Sequence, residues 1–180
     1  MKIAVYCGSG SGNKEEYIRT AEELGRWIGE NGHTLVYGGS NTGLMGTVAD
    51  AVLAHGGRVT GVIPDVPLIR SRMHQGLTEI IETDSMAERK TKMIELADGF
   101  AALPGGVGTL DEITEILSLQ SLDIIDAPIV FINTLDYYLP VKQFIGNILA
   151  NEFGREEYFE KVLFSDKIEE IGQFMERAAK

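Results

Sequence analysis

The chain has one cysteine, Cys7, together with three histidines and five prolines in 180 residues. A lone thiol cannot close an internal disulfide, and this usage fits a reducing compartment. His33, His55 and His74 are scattered and form no pair at metal-ligand spacing, so no metal site is expected. Positive charge is scarce as well: 16 Lys and Arg face 27 Asp and Glu, a formal net charge of −11. A field of that sign argues against a nucleic-acid backbone or an anionic membrane as the main partner. No apolar run approaches the roughly 18 residues that span a bilayer. The apolar stretch that ends at Gly8 is too short for a signal peptide and reads as a first strand. Cytoplasmic location is the expectation. Linkers, repeats and low-complexity tracts are also missing, which predicts a single domain over residues 1–180.

What the chain does have is a repeated alternation of short apolar runs and amphipathic stretches. Ile3–Cys7, Thr34–Tyr37, Val59–Ile63, Leu77–Glu82, Phe100–Leu103 and Ile129–Ile132 read as strands. Apolar positions at helical spacing predict helices over 14–30, 44–55, 85–97, from Thr109 to about Ser121, 136–151 and 167–179. Residues 65–76, with Pro67, Arg70, Arg72 and His74, form the one long loop, and 152–165 carry no clear signal. Alternation of this kind predicts an α/β fold: a Rossmann-like, doubly wound parallel sheet flanked by helices on both faces.

Three glycine clusters, 8–12, 38–46 and 105–108, fall at predicted strand ends, and each precedes a helix. Ligands of such sheets bind beyond the carboxyl ends of the strands, where glycine lets backbone N–H groups approach and helix N-termini favour anions. Three clusters at one edge point to a phosphate-bearing ligand, although any one of them also suits a plain strand-to-helix turn. The common fingerprints fail. The run Gly8–Asn13 lacks the last glycine of G-x-G-x-x-G, and Gly43 is followed by Leu44-Met45 rather than by Lys-Ser/Thr. An ordinary NAD enzyme or P-loop ATPase is therefore disfavoured. No serine stands in a nucleophile elbow, and Cys7 reads as buried and inert.

Two helix starts carry unusual charges. Thr109 to Glu112 has the spacing of a capping box, in which Thr109 caps and Glu112 folds back. The competing reading places Glu112 beside the 105–108 loop, where a carboxylate steadies a developing cation or orients water. Asp111 and Glu115 are weaker candidates. Ser85 to Glu88 is a second capping box, and Arg89 and Lys90 follow at once. Cations in the first turns of a helix oppose its dipole by about 0.3–1 kcal/mol each, so an anion is expected to offset them, unless they snorkel on the surface.

The run Pro104-Gly105-Gly106-Val107-Gly108-Thr109-Leu110-Asp111-Glu112 resembles the PGGxGTxxE motif of the LOG ("lonely guy") family, cytokinin riboside 5′-monophosphate phosphoribohydrolases often misnamed lysine decarboxylases. Met86-Ala87-Glu88-Arg89-Lys90 resembles the family's M-H-x-R-K, Cys7-Gly8-Ser9 its C-G-S-S, and Gly38 to Gly46 its G-G-G-x-x-G-L-M-G. The resemblance implies a Rossmann-like dimer with active sites at the subunit interface. It implies hydrolysis of the N-glycosidic bond of a purine 5′-monophosphate, AMP or an N6-substituted AMP, without metal or redox cofactor. By the same resemblance Arg89 and Glu112 are the catalytic pair. Ser9, Gly39, Met86, Lys90, Gly105, Gly106, Gly108 and Thr109 become the expected substrate contacts.

Three departures stand out: Ala87 for the family's His, Ser40 for its third glycine, and Gln120-Ser121-Leu122-Asp123 for its Q-L-G stretch. Two alternatives stay open. Molybdenum-cofactor carrier proteins resemble this fold and its glycine loops, so a non-enzymatic nucleotide or cofactor carrier is one. An amino-acid decarboxylase is the other, and it requires a pyridoxal-linked lysine, for which only Lys90 offers itself.

Overall fold

Apolar runs become strands here because they are covered on both faces. A computed structural model describes residues 1–178. The strands are β1 (Lys2–Tyr6), β2 (Thr34–Tyr37), β3 (Arg58–Pro64), β4 (Glu79–Thr83), β5 (Gly99–Ala102), β6 (Ile129–Ile132) and β7 (Val162–Ser165). All pairings are parallel, in the order β4-β3-β2-β1-β5-β6-β7. The helices are α1 (Glu15–Glu30), α2 (Gly43–Ala54), α3 (Pro67–Arg70), α4 (Met86–Leu96), α5 (Val107–Ser121), α6 (Leu139–Ala150) and α7 (Ile168–Ala178). Single 3₁₀ turns lie at Thr134–Asp136 and Glu156–Phe159. No helix of the described residues is long and apolar enough to cross a membrane.

Side chains of β1 alternate between two cores. Ile3 and Val5 join Leu24, Ile28, Val48 and Val52 of α1 and α2 on one face. Ala4 and Tyr6 join Met93 of α4 and Ile113 and Ile116 of α5 on the other. Both layers bury fully apolar side chains, each worth about 1.5–3 kcal/mol relative to exposure, so the sheet is a two-sided core.

The chain winds outward from β1 to β4, then returns to the other side of β1 for β5 to β7. The reversal of order lies between β1 and β5, and a crevice opens there at the carboxyl edge. Register makes this specific. Tyr6 pairs with Ala102, so the chain leaves both strands at the same level. Gly8 N–H then donates to the Pro104 carbonyl at 3.1 Å, binding the first glycine loop to the third.

Several expected elements shift. The fourth strand is Glu79–Thr83 rather than Leu77–Glu82, because Thr78 is engaged before it: its N–H donates to Val59 O and its hydroxyl accepts from Val59 N–H. The 65–76 loop contains α3, one turn with Pro67 at its start. The sixth helix begins at Leu139, not 136, behind the 3₁₀ turn. The unassigned 152–165 segment holds β7, an edge strand. Helix α7 runs from Ile168 to Ala178 within the expected 167–179 span, and position 179 lies outside the described residues.

Candidate functional site

Helix α5 starts at Val107, two residues before the expected start, with extended Gly106 as its N-cap and no side-chain cap. The capping-box reading of Thr109 and Glu112 is therefore overturned. Gly106 supplies the turn directly after Pro104-Gly105, so Thr109 falls inside the first turn and is buried. The first-turn N–H groups of a helix lack intrahelical partners, and among the described residues no side chain caps them here.

Glu112, freed from capping, turns into the interior and meets Arg89. The Arg89 Nη1 donates to Glu112 Oε1 at 2.7 Å, and the two side chains are 6% and 8% exposed. Arg89 Nε donates to the Val62 carbonyl at 3.3 Å. Room for this guanidinium comes from Gly38, where any Cβ would collide with it. Burial pushes the Glu112 carboxyl above its ordinary value, and the charge and hydrogen bond of Arg89 oppose that shift.

The second predicted capping box holds in part. Ser85 Oγ accepts from Glu88 N–H at 3.1 Å, but the Glu88 carboxylate takes the Asp84 N–H at 2.8 Å rather than that of Ser85. The anions that offset the two cations are the protein's own. Arg89 has Glu112, and Lys90 Nζ lies 3.0 Å from Asp111 and 2.9 Å from Glu115.

The crevice forms a cleft of about 410 Å³ at the carboxyl edge. Of the ten residues singled out by resemblance, Ser9, Met86, Arg89, Gly106, Gly108, Thr109 and Glu112 line it. Gly39, Gly105 and Lys90 do not. Gly39 packs behind it over Ile63, and Gly105 presses on Thr109 and Gly8, where a Cβ has no space. Lys90 is turned away by its two carboxylates. Residues outside those ten complete the wall: Gly8, Gly38, Met45, Leu68, Ile69, Arg72 and Val107, with Cys7 and Ser40. Met45 belongs to α2, Leu68 and Ile69 to α3, and Val107 opens α5; no local pattern marks Leu68 and Ile69 as cleft residues. Cys7 lines the floor but is 1% exposed, and burial pushes its thiol up.

Ser40, one departure from the family pattern, also faces the cleft, with its hydroxyl 3.0 Å from that of Thr42. Ala87 is exposed and does not line the cleft. Asp123 adopts φ 55 just past the end of α5, the left-handed region that favours glycine, so this departure falls on a helix terminus. The histidines stay outside the cleft. His74 Nε2 lies 2.9 Å from Asp50, His33 faces Trp27, and His55 follows α2.

Two tyrosines brace the third glycine loop from behind. Tyr138 donates to the Leu103 carbonyl at 2.7 Å, and Tyr137 donates to the Gly105 carbonyl. They follow Leu135 and Asp136, neighbours in the left-handed region at φ 53 and 57. Such residues cost on the order of 1–3 kcal/mol each, here offset in part by Asn133, whose side chain bonds both Asp136 and Tyr138 N–H.

The arrangement offers a buried carboxylate held by a guanidinium, a helix start with open N–H groups, and apolar walls. Residues 45–175 match the model of a family described as "Possible lysine decarboxylase". The chain is 42% identical over 152 residues to the cytokinin riboside 5′-monophosphate phosphoribohydrolase of Rhodococcoides fascians, covering 84% of this chain and 77% of that protein. It is 40% identical over 156 residues to the enzyme of the same name from Oryza sativa, covering 87% of this chain and 64% of that protein. Among solved structures, a molybdenum cofactor binding protein from Rippkaea orientalis superposes with a TM-score of 0.77 at 20% identity, over 99% of this chain and 97% of the other.

Proposed function

From the premise that this chain belongs to the LOG family, whose model carries the description "Possible lysine decarboxylase", we propose that it hydrolyses the N-glycosidic bond of a purine nucleoside 5′-monophosphate of the cytokinin type, releasing free base and ribose 5-phosphate. The observation that carries this reading is the buried Arg89–Glu112 pair at the edge of the cleft, 2.7 Å apart and beside the uncapped start of α5.

Cleavage of a glycosidic C–N bond builds oxocarbenium charge at C1′. In the proposed reaction that bond breaks and its electron pair leaves on the base. The oxygen of a water bonds C1′ and one water proton passes to Glu112; the departing base takes up one proton from solvent, and Glu112 returns its proton to solvent, so that one water is consumed per bond broken. The Glu112 carboxylate both steadies the cationic sugar and receives that proton. Arg89 holds the carboxylate in place and offers hydrogen bonds to the leaving base. The N–H groups of residues 106–109 face the 5′-phosphate or ribose, as helix starts do for anions. Met45, Met86 and Val107 give the base apolar contact.

Substrate contacts at Ser9, Gly106, Gly108 and Thr109 belong to this reading, as do one domain over the chain, a homodimer and a cytoplasmic site of action. Likeness to the molybdenum-cofactor protein, at 20% identity, is one of fold. A pyridoxal-dependent decarboxylase is disfavoured, since Lys90 is engaged by Asp111 and Glu115 away from the cleft. The test is incubation of the purified protein with AMP and with N6-isopentenyl-AMP. Equimolar free base and ribose 5-phosphate are expected, and nucleotide that binds without product formation points to a carrier instead.

A further inference from the structure

The cleft contains three formal charges, on Arg72, Arg89 and Glu112. Arg89 and Glu112 neutralise each other at 2.7 Å. The neighbouring cations are also spent. Lys90 is bound by Asp111 and Glu115, and Arg70 is bound by Asp65 at 2.8 Å and by Glu82 at 3.0 Å. Arg72 is different: among the described residues its guanidinium has neither a carboxylate within 4.0 Å nor a side-chain hydrogen bond. In a chain of net charge −11, Arg72 alone makes the cleft positive.

Its backbone is not loose. The Arg72 carbonyl accepts the Asn41 N–H at 2.8 Å, its N–H donates to Ile69 O at 3.0 Å, and Met73 forms a bridge with Ser40. These bonds pin residue 72 against the loop that follows β2, so the free guanidinium stands on the wall of the cleft. A phosphate monoester is close to doubly charged at neutral pH, with a second pKa of about 6, and guanidinium binds its oxygens through paired N–H donors.

We infer that Arg72 reads the phosphate of the substrate. This rests on the proposed nucleotide substrate for the ligand's identity, but the phosphate contact is testable without turnover. The long exposed side chain tolerates replacement, so Arg72→Leu and Arg72→Lys are expected to fold as the parent does. Calorimetry with ribose 5-phosphate, AMP and adenosine separates the possibilities.

Arg72→Leu is expected to weaken ribose 5-phosphate and AMP by about tenfold or more and to leave adenosine unchanged. Arg72→Lys is expected to retain most of the binding, and raised salt is expected to narrow the gap between parent and Arg72→Leu. Unchanged ribose 5-phosphate affinity in Arg72→Leu overturns the inference, as does a parent protein that does not bind it. Equal losses for AMP and adenosine also overturn it and place the guanidinium on the base. A parent that binds ribose 5-phosphate through Arg72 yet leaves AMP intact defeats the hydrolase reading and keeps this one.

Discussion

Arg89 and Lys90 are neighbours on α4, both reach carboxylates on α5, and they end in opposite surroundings. The Arg89–Glu112 pair is shut inside, at 6% and 8% exposure, whereas Asp111, across from Lys90, is 63% exposed. The same two helices are thus joined twice, once in a low-dielectric interior beside the cleft and once at the rim in water. Interior pairs bear a large desolvation cost and become very sensitive to loss of one partner; rim pairs are screened and contribute little. Spatial adjacency of two cations along a helix therefore says nothing about shared function. The partner each one finds decides it.

The sharpest way to break this comparison is to remove the inner carboxylate's charge while keeping its shape. Glu112→Gln is expected to lower turnover of AMP by roughly 10²- to 10⁴-fold and to leave binding nearly unchanged. Steady-state rates with direct titration of nucleotide binding check this. An effect confined to melting temperature instead would reduce Glu112 to a structural group.

Removing the inner cation tests the other half. Arg89→Ala leaves Glu112 buried without its partner, and a loss of about 3–5 kcal/mol in unfolding free energy is expected. The pH dependence carries a definite sign. Burial already holds the folded Glu112 pKa above its ordinary value, so the folded state binds the proton more tightly than the unfolded chain does. Its contribution to stability therefore falls as pH rises through the window between the unfolded and the raised folded value, and recovers on acidification. Without Arg89 that slope is expected to steepen, since the group that opposed the shift is gone. Urea titrations of the parent and Arg89→Ala at acidic and neutral pH measure it.

Much of the fold is legible in the sequence because buried parallel strands read as unbroken apolar runs: Thr34–Tyr37 and Ile129–Ile132 match to the residue. Strand β7 escapes because it lies on an edge and is only partly buried, so Val162 to Phe164 lack the contrast of an inner strand. The start of α5 is misread because a Thr-x-x-Glu spacing imitates a cap that Gly106 makes unnecessary. At the site, Arg89 is legible as a charge placed where helix chemistry opposes it, and the carboxylate that resolves the conflict lies 23 residues away. Such partners are set by how α4 and α5 pack, which no local pattern encodes. The same holds for Arg72, whose distinction is the lack of a partner that Arg70, two residues earlier, possesses.

The smallest expected effect is the one that tests the outer pair. Hydrogen bonds to Glu115 first, and then to Asp111, hold the Lys90 pKa above its ordinary value of 10.5. A raised ammonium pKa contributes stability that is complete below the unfolded value and is lost only as pH climbs through the folded one, so at neutral pH the bridge is fully present. With 23% of the lysine side chain and 63% of that of Asp111 in solvent, the contribution is about 0–1 kcal/mol. Lys90→Ala is expected to lower stability by no more than that, to lose the difference in concentrated salt, and to leave kcat and KM for AMP within about twofold. Chemical denaturation in low and high salt, paired with steady-state kinetics, gives the answer. A large rise in KM with stability unchanged would mean that Lys90 leaves Asp111 and Glu115 to meet the nucleotide, and the division between an inner chemical pair and an outer structural one would fall.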